Sequence, residues 1–142
     1  MLFKLLLVAN AVWFAMGFHL FVFRNTVFAK ILVPKAYRDS PAFDVLVESG
    51  KFLGGFNFAL CAFNLVLLAF ADAFNGDSQR IILCLFFALA HGSQFYFNFP
   101  IWRQNRMQQG VWQVQGLMRF IFVTDFVLML ANTLMAALIA WG

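Results

Sequence analysis

One aspartate and two histidines lie within stretches that are otherwise apolar: Asp125, His91 and His19. An aspartate at the centre of a lipid-embedded helix costs on the order of 2.5–3.5 kcal/mol to insert, so it must be protonated or partnered. His91 and His19 are the available donors or cations, with Arg119 as a snorkelling option. An Asp–His pair shielded from water can relay a proton, bind a ligand or hold helices together. Other polar groups recur at helical spacing. Asn57, Cys61 and Asn64 stand at i, i+4 and i+7, and Gly50 and Gly54 continue that stripe. Cys84, His91, Gln94 and Asn98 share a second face, and Asp125 and Asn132 a third, with Met129 between them. Stripes of this kind face other helices rather than lipid.

Depth follows from the helical rise. Counting about 1.5 Å per residue from flanking residues puts Asn57 and Asp125 each about 9 Å in, with His19 and Gln94 at a similar depth and His91 one turn further. Asn10, Asn64 and Asn132 lie about 20 Å in. Two polar layers are predicted. The first, His19, Asn57, His91, Gln94 and Asp125, is the candidate ligand or proton-relay site. The second, Asn10, Asn64 and Asn132, is an interhelical layer, its contacts worth about 0.6–2 kcal/mol each. Asn10 and His19 are nine residues apart and so on opposite faces of one helix. Only one can point inward, and His19 is the expected one.

The elements that must position these groups are four apolar runs: 1–23, 52–71, 81–99 and 120–141. Each is long enough to cross a hydrocarbon core of about 30 Å as a helix. The alternating polarity of a membrane β-strand is not seen. The fold class is therefore all-α, an integral membrane four-helix bundle forming a single domain over residues 1–142. Leu5 to Val8 is too short for the hydrophobic region of a signal peptide, so the first run is read as a true span. Composition agrees. Of 142 residues 63% are hydrophobic, 11% charged and 21 are phenylalanine, with a mean hydropathy of +0.82. That excludes a disordered chain, a disulfide scaffold and an ordinary soluble enzyme.

Arg24, Lys30, Lys35, Arg38 and Lys51 fall in or beside the first connection, and Arg103, Arg106 and Arg119 in or beside the third. Only Lys4 and Arg80 fall on the other side. The positive-inside rule then places both termini and the turn 72–79 on the non-cytoplasmic side of an inner or plasma membrane. The first connection is expected to hold short interfacial helices. One has Val27, Phe28, Ile31 and Leu32 on its apolar face and ends at Pro34. Another starts from Ser40 as N-cap with Pro41 at its first position, with Phe43, Leu46 and Val47 on one face. Trp102, Trp112 and Trp141 mark the interfaces.

No metal-ligand cluster, nucleophile motif, P-loop or GxGxxG is legible, and the basic residues form no run suited to nucleic acid. Two histidines could ligate a haem b, but at unequal depths. No cofactor is named by the sequence. Cys61 and Cys84 read as free cysteines. Gly50xxxGly54, Gly55xxxAla59, Ala88xxxGly92 and Ala136xxxAla140 permit close helix approach, within the bundle or between protomers. Phe56, Phe58, Phe63, Phe86, Phe87, Phe95, Phe97, Phe99, Phe122 and Phe126 crowd the middle depths. They suit packing and lipid contact, or a pocket for a flat apolar ligand such as a quinone, sterol or carotenoid.

The length, the long first connection, Gly54–Gly55 opening the second span and Ala88–Leu89–Ala90–His91 in the third resemble the small four-helix membrane proteins of the DoxX-like group and the related ergosterol-biosynthesis scaffold family. The glutamate expected soon after that histidine in the scaffold family is absent here, with Gln94, three residues on, as a polar residue nearby. The resemblance implies a non-catalytic helper holding membrane enzymes together, or a small subunit near a quinone-reactive system. The chain accordingly reads as an accessory subunit or scaffold, packed against other membrane proteins or its own copies. The alternative is a binder or carrier of an apolar small molecule (quinone, sterol, carotenoid or lipid), or a proton relay, built on the Asp–His layer. An enzyme ranks behind both.

Overall fold

The computed structural model describes residues 1–110 and 113–142, so the interfacial role expected of Trp112 lies outside the described residues. The chain is helical almost throughout, with no strand among the described residues. Helix α1 (Leu2–Phe18) continues into a π-helical turn, His19–Phe23; α2 (Asn25–Leu32), α3 (Pro41–Ala69), α4 (Asp77–Arg106) and α5 (Leu117–Trp141) follow. Four of these, counting α1 with its π turn, are long and apolar enough to cross a membrane. The protein is an all-α four-helix bundle whose outer surface suits lipid: Leu134, Leu138, Phe97 and Phe56 are all more than half exposed.

Two helices run further than the apolar runs that predict them. Helix α3 starts at Pro41 and absorbs the segment expected to form a separate interfacial helix. Asp44, Glu48 and Lys51 end the apolar run but not the helix, and no proline separates them from the span. Phe43 is buried, Leu46 and Val47 half-buried, and Asp44 and Glu48 exposed, as the spacing requires. Ser40 occupies the N-cap position but caps nothing; its hydroxyl donates to the Tyr37 carbonyl at 3.2 Å. Helix α4 likewise passes through Pro100 to Arg106, where the guanidinium stacks 4.6 Å over Trp102. Helix α2 forms and stops two residues before Pro34, whose ring disfavours a helical residue ahead of it. Phe28 and Ala29 are its buried residues; Val27 is 43% exposed, one position off the expected apolar face.

The bundle is two antiparallel pairs, α1 packed along α3 and α4 along α5. The first pair is close because of glycine. A methyl group at Gly54 would overlap Val22 and lie 3.3 Å from Phe21 Cβ, and one at Gly17 would overlap the Asn57 side chain. Gly55, one residue on, faces open space. Gly54→Ala is therefore expected to destabilise by about 1–3 kcal/mol through overpacking. Gly55→Ala should gain about 0.5–1 kcal/mol from helix propensity alone. Thermal unfolding of the two variants in one detergent checks the contrast, and equal shifts would remove Gly54 from the α1–α3 contact. Between α4 and α5 the same role falls to Gly92, 3.1 Å (as a Cβ) from Met129 Sδ. Leu7, Phe14, Leu67 and Phe87 form the buried apolar centre where the two pairs meet.

Candidate functional site

The two helix pairs are stitched together by polar side chains at the level of that centre. Asp125 of α5 is 5% exposed, and its Oδ1 accepts from Trp13 Nε1 of α1 at 2.9 Å and lies 3.0 Å from His91 Nδ1 of α4. His91, 1% exposed, is stacked on Phe14 with ring centroids 4.9 Å apart and planes 13° from parallel. Its Nε2 lies 3.2 Å from Asn10 Oδ1. Asn10 and Asn132 pair reciprocally, each Nδ2 donating to the other's Oδ1 at 3.1 Å, and Asn132 Nδ2 also donates to the Leu128 carbonyl at 2.8 Å. Leu128–Asn132–Asn10–His91–Asp125–Trp13 is thus one continuous chain across three helices. Buried polar groups that satisfy one another in this way specify one arrangement of the helices.

The two predicted layers are therefore joined, and His91 is the joint. The chain joins Asp125 and His91 from the first layer to Asn10 and Asn132 from the second. It corrects the expectation for α1: Asn10 is fully buried and His19 is exposed. Leu7, Asn10, Ala11 and Phe14 share the buried face of α1, and nine residues carry His19 half a turn away from it. Asn64 is fully buried but joins no network. Its Nδ2 bonds the Leu60 carbonyl at 2.9 Å, and Oδ1 has no partner among the described residues. Leucine at 64 removes an unpaid acceptor, so Asn64→Leu is expected to be neutral or stabilising, whereas Asn10→Leu should cost about 1–3 kcal/mol by orphaning its partners. Unfolding of the two variants side by side decides it, and a large loss at 64 would show that Oδ1 has a role.

Arg119 is exposed and does not reach Asp125. Trp13 supplies the further donor, and sequence reasoning passed over it. The available signal was its position: an indole in mid-span, away from the interfaces where tryptophan usually sits, still needs an acceptor for its N–H. Both nitrogens of His91 are engaged, so it is not free to share a haem with His19.

Beside this network, toward the end of the bundle that carries α2, lies a cavity of about 660 Å³ between the helix pairs. Its walls are mostly apolar, among them Phe14, Leu20, Phe56, Leu60, Phe120 and Ile121. Polar groups also reach it: Asp125, His19, Asn57 and Gln94. The cavity thus gathers four of the five residues of the first predicted layer, although no hydrogen bond joins them to one another. Asn57 Nδ2 instead bonds the Leu53 carbonyl at 2.8 Å. The π turn at His19–Phe23 supplies His19, Leu20 and Phe21 to the wall; such turns are frequent at functional sites. Of the two expectations for the phenylalanines, packing and lipid contact fits most of them better than a ligand pocket. Of the ten singled out, only Phe56 lines the cavity, together with Phe14, Phe21 and Phe120. Phe87 is in the core, and Phe58, Phe63, Phe86, Phe97, Phe99 and Phe126 are exposed on the outside.

Compared with protein-family models, curated proteins and solved structures, the chain matches none.

Proposed function

We propose that this integral membrane protein binds an apolar small molecule, of the size and chemistry of a quinone, sterol or other lipid, in the cavity beside Asp125. The cavity itself carries this reading. Ligand sites are concave, mostly apolar, about 300–1,000 Å³ in volume, and carry a few convergent polar groups; this one has about 660 Å³ and ends on a buried carboxylate. The His91–Asp125 pair then orients the head group and can hold a proton beside it. With the eight-to-two distribution of basic residues, the cavity lies toward the cytoplasmic face and both termini on the other. The test is chemical. Protein purified in mild detergent is extracted with organic solvent and the extract compared by mass spectrometry with that of an unrelated membrane protein prepared alongside. A single apolar species near one per chain is expected; bulk phospholipid alone would refute the reading.

A second reading, an accessory subunit or scaffold of DoxX-like type, draws on the outer face of α3. Gly55 and Ala59 present a small-residue pair to the outside, flanked by the exposed Phe52, Phe56 and Phe63. Such pairs permit close approach of another helix. The two readings are compatible, since Gly55 and Ala59 do not line the cavity, although Phe56 borders both surfaces.

A further inference from the structure

The hydrogen-bond chain fixes where protons can be, and that restricts what the cavity accepts. The Leu128 carbonyl can only accept, so the Asn132 amide must turn Nδ2 toward it. The other N–H of that Nδ2 goes to Asn10 Oδ1, and Asn10 Nδ2 returns to Asn132 Oδ1. Asn10 Oδ1 is therefore an acceptor, and the His91 Nε2 that meets it must carry hydrogen. One proton remains to be placed between His91 Nδ1 and Asp125 Oδ1, 3.0 Å apart. With none there, two lone pairs would face each other; with two, the hydrogens would collide.

Whether that proton sits on Nδ1 or on Oδ1, the pair has zero net charge, and Asp125 Oδ2 is unprotonated. A further proton on Oδ2 would leave an uncompensated imidazolium in apolar surroundings, which burial opposes. Trp13 Nε1–H is directed at Oδ1 as well. Oδ2 has no hydrogen-bond partner among the described residues, and Asp125 lines the cavity. With Oδ1 taken by His91 and Trp13, Oδ2 is the oxygen left for a ligand in the cavity, and it can only accept.

Building on the cavity-binding reading, we propose that the cavity selects an apolar molecule whose head group donates a hydrogen bond to Asp125 Oδ2. A hydroxyl does so, as in a sterol or the reduced, quinol form of a quinone; a head group that only accepts does not. A quinone carbonyl or an ether oxygen at that position would face a lone pair and leave the carboxyl unsatisfied, and sites built to pair with a hydroxyl reject analogues lacking it.

The test uses the 142-residue chain in mild detergent and two probes that differ in the donor and one methyl group, farnesol and its methyl ether. Binding is read from tryptophan fluorescence and from thermal stabilisation. The alcohol is expected to bind at least about tenfold more tightly, as a hydrogen bond to a charged or charge-sharing group allows. The preference should vanish in the His91→Leu/Asp125→Leu double variant. Equal binding of both probes to the unmodified protein would overturn the donor requirement and leave the cavity reading standing. A preference that survives in the double variant would also overturn it, assigning the contact to Gln94, Asn57 or His19. Binding of neither probe would remove the cavity reading itself.

Discussion

Replacing His91 by leucine is expected to cost about 3–5 kcal/mol of stability, and replacing Asp125 by leucine a similar amount, because each leaves the other partner buried without its counterpart. The surroundings make the cost hard to escape. His91 and Asp125 side chains are 1% and 7% exposed, and of the two only Asp125 borders the cavity, so His91 cannot recover water without opening the bundle. Removing His91 also strips a donor from Asn10, and removing Asp125 leaves the Trp13 indole N–H without its acceptor. The double variant should be distinctly more stable than the sum of the two losses implies, because an apolar pair leaves no unmatched charge and the Asn10–Asn132 amides still satisfy each other. Reversible unfolding of the four proteins, in one detergent and at one pH, gives the coupling directly. Additivity within about 0.5 kcal/mol would show that the two side chains do not act as a pair.

Most of the fold was legible in the sequence because lipid imposes a simple condition. Backbone groups in hydrocarbon must be satisfied within the segment, so an apolar run of sufficient length becomes a helix. The same simplicity hides boundaries. Asp44, Glu48 and Lys51 end an apolar run without ending α3, and Pro100 lies inside α4 rather than stopping it. The candidate site was legible where helical spacing met contrast. Asp125, His91 and Asn132 stand out because their neighbours are apolar, and all three prove buried and bonded. Where every neighbour is apolar, contrast fails. Nothing in the uniformly hydrophobic α1 says which face turns inward, so Asn10 and His19 could be assigned to opposite faces but not to the correct ones. Nor does composition reveal separation between helix pairs. The cavity arises from how α1 and α3 are drawn together by Gly17 and Gly54, and from the polar bridge above it, neither of which is a property of one helix.

The larger effect on function is expected from Ile121→Trp. Ile121 lies one helical turn before Asp125 on the same face of α5 and lines the cavity. An indole there is expected to fill the route to the carboxylate, and Ile121 itself makes none of the His91, Asn10 or Trp13 bonds of the network. Because the enlargement enters existing empty space and not a packed core, the ligand-free protein is expected to lose less than the about 1–3 kcal/mol of ordinary overpacking. Ligand binding, by contrast, requires that space. A molecule that binds only the folded protein stabilises it by RT ln(1 + [L]/Kd), about 2.7 kcal/mol at a hundredfold excess over Kd, and this increment should disappear in the variant. The matched control is Leu138→Trp, the same enlargement on the same helix at a position 65% exposed and away from the cavity. It should retain the full increment. If both tryptophan variants lose it, the ligand effect is one of detergent or lipid around the bundle. If neither does, the ligand sits elsewhere, and the His91–Asp125 pair is left with only the helix-pinning role that its hydrogen bonds already perform.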